Sequence, residues 1–256
     1  MGLADLHIHS IYSDGTSTIA AVLGMARSRN LNVVAITDHD TLKGVAEARA
    51  LAPVIGVEVI SGCEISTADG HLLALFIENP IPPGRPLLDT LRLVREQGGL
   101  CIAPHPMAQG VSSLTPGVIA KAIHTPLLKD TLIAIEVYNA SLLNPATNRR
   151  ARILCEEYGL TPVAGSDAHI ATAIGSGITR FPGQTVADLK QALLLRQTLP
   201  LYWTRRRTLR FWLDHLYFHA LHRLGWVTAI SEEYTRPLLQ RVSRIPKPTT
   251  RPKERT

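Results

Sequence analysis

Short runs that are apolar at nearly every position alternate along this chain with longer segments whose apolar residues recur every three or four positions. The first kind reads as buried β-strand and the second as amphipathic helix. Leu3–Ile8, Val33–Thr37, Val57–Ile65, Leu72–Ile77, Leu100–Ala103, Leu132–Val137 and Thr161–Ala164 are the predicted strands. Helices are predicted over Ile19–Arg29, Leu42–Leu51, Leu87–Gln97, Pro116–Ile123, Pro145–Glu157 and Val186–Leu195, the last after a Gly/Pro-rich loop. Punctuation supports these limits: Ser13-Asp14-Gly15-Thr16-Ser17 supplies turn and N-cap chemistry before the first helix. Pro80, Pro82, Pro83 and Gly84 break the chain before the third, and Gly98-Gly99 closes it.

Strands without a polar face need both faces covered, which points to parallel βα units. Metal-ligating side chains then decide between an open sheet and a closed one. They fall at strand ends: His7, His9 and Asp14; Asp38 and His39; Glu64; His71, opening the next strand; His105; and Asp167 with His169. Residues at the ends of so many strands meet only if the sheet closes on itself, as in barrels whose sites lie at the C-terminal rim. The predicted fold is therefore α/β, a distorted TIM-like barrel of about seven βα units with a C-terminal helical appendage.

His7-Ile8-His9 puts two imidazoles on one face of a strand. A lone His-x-His is as readily a hydrogen-bonded core pair. Joined to Asp14 and to Thr37-Asp38-His39-Asp40, the purely structural reading would bury many titratable groups without compensating charge. Glu64 ends an apolar strand, where bridging two cations resolves an otherwise unfavourable burial. His105 lies between Pro104 and Pro106, which fix the backbone around it.

The 256 residues suffice for one substantial core. The 45% hydrophobic and 19% charged residues fit a soluble globular protein. No apolar run approaches the ~20 residues of a membrane span, and a cytoplasmic location is expected. Cys63, Cys101 and Cys155 show no paired spacing and read as buried small hydrophobes. The net charge of +6 is uneven: residues 201–256 carry twelve Lys and Arg against four Asp and Glu, leaving the remainder slightly acidic. Eight of the thirteen aromatic residues fall between Tyr202 and Tyr234. Thr208–Trp226 reads as one helix within a basic, aromatic appendage over residues 201–243, suited to docking on the barrel or a second copy of the chain, with membrane-surface or nucleic-acid contact as alternatives. His215, His219 and His222 share a face of that helix without a carboxylate to complete a site, and residues 244–256 have a disordered composition.

The motifs Asp5-Leu6-His7-Ile8-His9-Ser10, Ser13-Asp14-Gly15, Thr37-Asp38-His39-Asp40, Gly62-Cys63-Glu64, Pro104-His105-Pro106 and Gly165-Ser166-Asp167-Ala168-His169 together resemble the polymerase and histidinol phosphatase (PHP) domain. The resemblance covers roughly residues 3–200, within an expected barrel domain over residues 1–200, with residues 175–200 similar to the segment that follows many stand-alone PHP domains. It implies a (β/α)7 barrel holding two or three divalent ions, manganese, zinc or iron, with magnesium also compatible. One ion would be held by His7, His9, Glu64 and Asp167, a second by Glu64, His71 and His105, and a third by Asp14, His39 and His169. Asp14 departs from the pattern, since some relatives have histidine there.

The resemblance also implies hydrolysis of a phosphate ester of a nucleotide or short oligonucleotide by water that the ions activate, with Asp38, His39 and His169 as candidates for catalytic proton transfer. Glu136 and Asp40 are expected to orient ligands, and Lys43, Arg149, Arg150 and Arg180 are candidate contacts for substrate phosphate. Two other readings compete. One is an amide or lactone hydrolase of amidohydrolase type. The other is a non-catalytic, metal-stabilised accessory module acting through its tail.

Overall fold

The computed structural model describes residues 1–142, 144–202, 213 and 216. The expected helix Thr208–Trp226, the histidines on it and the 244–256 tail otherwise lie outside the described residues.

The strands are β1 (Gly2–Asp5), β2 (Val33–Ile36), β3 (Glu58–Thr67), β4 (Gly70–Leu75), β5 (Leu100–Ala103), β6 (Leu132–Asn139), β7 (Thr161–Gly165), β8 (Gly177–Phe181) and β9 (Leu199–Tyr202). Among the described residues, six α-helices intervene: α1 (Ile19–Ser28), α2 (Lys43–Ile55), α3 (Leu87–Glu96), α4 (Pro116–Ile123), α5 (Pro145–Tyr158) and α6 (Val186–Leu194). Local chemistry sets their limits. Thr18, Thr115 and Asn144 each accept a backbone N–H at a helix start, Thr185 and Asp188 form a reciprocal cap on α6, and Gly56 and Gly159 end α2 and α5 in the left-handed conformation.

The sheet order is β7-β6-β5-β4-β3-β2-β1-β8-β9. β1, β2 and β3 run parallel, as do β5, β6 and β7. Three strands depart from the expected parallel arrangement: β4 is antiparallel to both its neighbours, β8 to β1, and β9 to β8. The short turn between Thr67 and Gly70 makes β4 a hairpin partner of β3, and a hairpin reverses direction where a helical crossover would not. That reversal is why His71, at the start of its strand, stands at the same end as ligands that follow theirs.

The Gly/Pro-rich stretch before α6 contains β8, a strand and not only a loop. β8 lies against β7 without a backbone ladder: Thr179 Oγ1 accepts from Ala164 N and donates to Ala164 O, both at 2.9 Å. At the rim, the chain past β1 meets the chain past β7 directly through an Ile8–Ala168 bridge, with His9 N donating to Ala168 O at 2.9 Å. The barrel closes there.

Among the described residues, three apolar clusters form the core. One groups Ala4, Leu6, Val33, Ala35, Ile60, Leu73, Ile102, Ala134 and Val163 with Phe181 and the α6 residues Leu189, Ala192 and Leu193. Drawing on strands all round the sheet, it is the barrel interior, with α6 as its plug. The other two lie outside the sheet, under α1 and α2 and under α3, α4 and α5. The alternation within β2 is direct: Val33 and Ala35 belong to the interior cluster, Val34 and Ile36 to the outer one.

Candidate metal centre

Nine side chains converge at the rim. Glu64 lies at their middle, buried: its Oε2 is 3.0 Å from His7 Nε2 and 3.1 Å from His9 Nε2, and its Oε1 is 3.0 Å from His105 Nε2 and 3.1 Å from His71 Nδ1. Each oxygen therefore faces a different pair of imidazoles, the arrangement a bridging carboxylate needs. Asp167 Oδ1 adds to the first side, 3.4 Å from His7 Nε2 and 3.3 Å from His9 Nε2.

Among the described residues, three sets have donor atoms mutually within 4.8 Å: His7, His9, Glu64 and Asp167; His9, Asp14, His39 and His169; and His39, Glu64 and His71. The first matches the set expected for one ion. The second contains the expected Asp14, His39 and His169 and adds His9. The third joins His39 to Glu64 and His71, while His105 reaches the same Glu64 oxygen from its own side. Every ligand expected from the sequence is brought to this one rim.

The side chains also fit cations on physical grounds. His9 is buried, and neither of its ring nitrogens makes a hydrogen bond, although two carboxylate oxygens stand close to one of them. Leaving such atoms unsatisfied costs about 1–3 kcal/mol each, a cost that a shared cation removes. The donors are imidazole nitrogens and carboxylate oxygens, the set that suits zinc, manganese or iron. Cys63, next to Glu64 in sequence, is no competitor: burial, with Asp40 and Glu64 nearby, pushes its thiol up to about 12.

Charges within the set hold one another. Burial disfavours the charged forms of Glu64 and Asp167, but the facing histidines outweigh it and hold both carboxyls well below the usual carboxylate range. Burial likewise opposes protonation of His9, and Asp167 and Glu64 overcome it, raising the imidazole to about 9. Burial lowers His39 despite the nearby carboxylates. Backbone strain collects here as well: Asp40, His105 and Asp167 have φ of 54°, 29° and 52°, in the left-handed region that non-glycine residues seldom occupy.

A surrounding layer fixes these side chains. Glu136 Oε1 meets His7 Nδ1 at 3.1 Å, and its Oε2 accepts from His105 N at 2.8 Å, so one buried carboxylate positions two of the candidate ligands. Asp40 Oδ1 accepts from Ser66 N at 2.7 Å, bracing β3 just past Glu64. Asp38 accepts from Ser10 N, Ser10 Oγ and Ser13 Oγ at 2.7–2.8 Å, which ties the β1 loop to the β2 loop. Its carboxylate is thus occupied by hydroxyl and amide donors and belongs to none of the three sets.

Lys43 is exposed at the start of α2, just after the His39 loop, and Arg149 and Arg150 are exposed near the start of α5. Arg180 is different. It pairs with Leu3 on β1, six residues before His9 and so about 20 Å along the strand. It stands at the opposite end of the barrel, and the expectation that it contacts substrate is corrected.

Four contributors escaped the sequence reading. Asp5 is fully buried and accepts from Ser166 N at 3.0 Å and Gly175 N at 2.7 Å, anchoring the loop that carries Asp167. Ser113 Oγ meets His105 Nδ1 at 3.1 Å, leaving Nε2 toward Glu64. Asn139 and Ser141 contact Asp167. The Asp5-Leu6-His7 motif offered a signal for the first, whereas the others depend on loop and bulge geometry.

Fold and site together define an α/β barrel with a rim cluster of histidines and carboxylates able to bind metal. The chain belongs to the PHP family. The PHP-associated family matches residues 145–198. An uncharacterised protein of Methanocaldococcus jannaschii is 37% identical over 148 residues, covering 54% of this chain and 81% of its own length. A 5'-3' exoribonuclease of Haemophilus influenzae is 34% identical over 122 residues, 46% of this chain and 44% of the relative, so the chain spans less than half of that protein. Among solved structures, a two-domain protein from Bacteroides vulgatus containing a predicted PHP-like metal-dependent phosphoesterase superposes with a TM-score of 0.66 at 21% identity, covering 83% of this chain and 69% of that one. That likeness bears on the fold.

Proposed function

We propose that this protein is a metal-dependent phosphoric ester hydrolase acting on a nucleotide or a short oligonucleotide. The observation that carries the reading is Glu64, a buried carboxylate whose two oxygens each face two imidazoles. Divalent ions bound in such a set ionise water near neutral pH and neutralise phosphoryl oxygens.

The chain's own residues do the rest. Glu136 and Ser113 fix the ring orientations of His7 and His105, so that Nε2 of each is presented inward. His39 and His169 are the most exposed imidazoles next to Asp14, at 26% and 18%, and are placed to pass protons between the centre and solvent. Asp38, already accepting three hydrogen bonds, braces the rim, and the proton-transfer role falls to these imidazoles. Lys43 and Arg149, exposed on helices that start at the rim, are the side chains best placed to meet substrate phosphate.

The similarity to an exoribonuclease supports a nucleotide substrate.

The test is phosphate release from a panel of nucleotide monoesters, bisphosphates, cyclic phosphates and short oligonucleotides, with manganese, zinc, iron or magnesium, beside amide and lactone substrates. Turnover of a phosphoester that is lost on chelation supports the reading. Amide or lactone turnover alone would favour the amidohydrolase reading. No turnover, with function abolished by deleting residues 203–256 but not by His105→Ala, would favour the accessory module.

A further inference from the structure

Asn139 carries out a task that neither the ligand set nor the sequence motifs assign. Its side chain is fully buried, and every polar atom on it is used. Nδ2 donates to Glu136 Oε2 at 2.9 Å and to Asp167 Oδ2 at 3.0 Å, while Oδ1 accepts from Ser141 N at 2.9 Å. The amide orientation is fixed by its neighbours. Exchanging oxygen and nitrogen would set Oδ1 against two carboxylate oxygens and Nδ2 against an N–H donor.

This contact exists because β6 is irregular. In a regular strand, residues 136 and 139 project to opposite faces. The register between β6 and β7 slips between Glu136 and Tyr138, and such an extra residue re-aims the side chains that follow it. Asn139 is thereby turned onto the face that carries Glu136.

We infer that Asn139 is a positioning residue for the metal centre: by tying Glu136 to Asp167 it makes the acid that orients His7 and His105 and the acid that faces His7 and His9 a single unit. The inference rests on the metal-dependent reading above. Glu136 alone could pivot about its contacts with His7 and the His105 backbone. Asp167, strained at φ 52°, is held at its backbone carbonyl by Ser141 Oγ at 2.8 Å, but its carboxylate is held on the side away from the histidines by Asn139. Two carboxylates at hydrogen-bond distance from one amide also repel each other, and the two N–H groups between them offset that repulsion.

The structure supplies an internal control. Asn148 grips the same residue by its backbone, with Oδ1 accepting from Asn139 N and Nδ2 donating to Asn139 O, both at 3.0 Å, and touches neither carboxylate. Asn148→Ala therefore loosens β6 without releasing the acids.

The experiment measures cobalt(II) and manganese(II) binding by full-length wild type, Asn139→Ala, Asn139→Asp and Asn148→Ala. It reads dissociation constants and the visible absorption of the cobalt forms, alongside thermal unfolding in chelator. Asn139→Ala is expected to weaken binding about 10–100-fold and to change the cobalt spectrum. Asn139→Asp, which sets a third carboxylate against two, is expected to shift unfolding in chelator to lower temperature than Asn139→Ala does. Asn148→Ala is expected to lower the unfolding temperature while keeping the wild-type spectrum and affinity. Wild-type affinity and spectrum in Asn139→Ala would overturn the inference, as would matching losses in Asn139→Ala and Asn148→Ala. If wild type itself binds neither ion, the metal-dependent reading fails, and this inference fails with it.

Discussion

A Cβ placed on Gly165 would lie 2.2 Å from Glu136 Oε1 and 2.7 Å from His7 Cβ. Glycine is needed there because β7 passes so close to the group that orients a ligand. Gly165→Ala is expected to displace Glu136 and to cut metal affinity and phosphoesterase activity at least tenfold, with stability lowered by about 1–3 kcal/mol from overpacking. Metal titration and urea unfolding of the variant check both parts. Unchanged values would show that the strands separate without cost.

Glu64→Gln keeps size and shape and removes the charge that four imidazoles face. Metal retention after dialysis is expected to fall, and activity to drop by at least about 10–100-fold, because the carboxylate that would hold metal between the two pairs of histidines is lost. Elemental analysis together with kcat on the best phosphoester checks this.

Without metal, His9 is raised to about 9, since Asp167 and Glu64 outweigh its burial. A raised histidine contributes stability that is complete below its unfolded value near 6.5 and is lost as pH rises through 9. Metal must displace that proton, so loading at pH 7 is expected to release protons and apparent affinity to increase with pH up to about 9. Calorimetry of metal binding in buffers of different ionisation enthalpy counts the protons. A buffer-independent heat would contradict the expectation.

Asp5 has the opposite chemistry and the same sign. Burial raises its carboxyl from 3.8 to about 6, against the opposing effect of its hydrogen bonds to Ser166, Gly175 and His7. The folded state therefore favours the protonated acid: its contribution is complete below pH 3.8 and is lost as pH rises to about 6. Relative to wild type, Asp5→Asn should gain on the order of 3 kcal/mol between pH 4 and pH 7. Urea midpoints of both proteins at those two pH values give the difference.

Much of this centre was legible because its ligands follow strands with unmistakable apolar patterns. Leu6-His7-Ile8-His9 and Val163-Ala164-Gly165-Ser166-Asp167 mark a strand end and a ligand in one stretch. Closure was legible too, since strand-end ligands scattered over the chain can meet only on a closed rim.

What escaped lacks a local signature. β8 is five residues between glycine-rich turns, and β4 reverses the parallel pattern through a two-residue turn that apolar periodicity does not register. Arg180 looked like a phosphate contact because a cationic side chain reads alike at either end of a strand, and only register places it opposite Leu3. Asn139 depends on a bulge, and Ser113 on a loop packed against Gly70, where a Cβ would meet the Ser113 backbone at 2.6 Å.

The most direct test of the central claim is elemental analysis of the purified wild-type protein after loading with manganese, zinc or iron, beside Glu64→Gln. Two or three ions per wild-type chain, with fewer in the variant, are expected. Fewer than one ion per wild-type chain, or equal retention in Glu64→Gln, would contradict it.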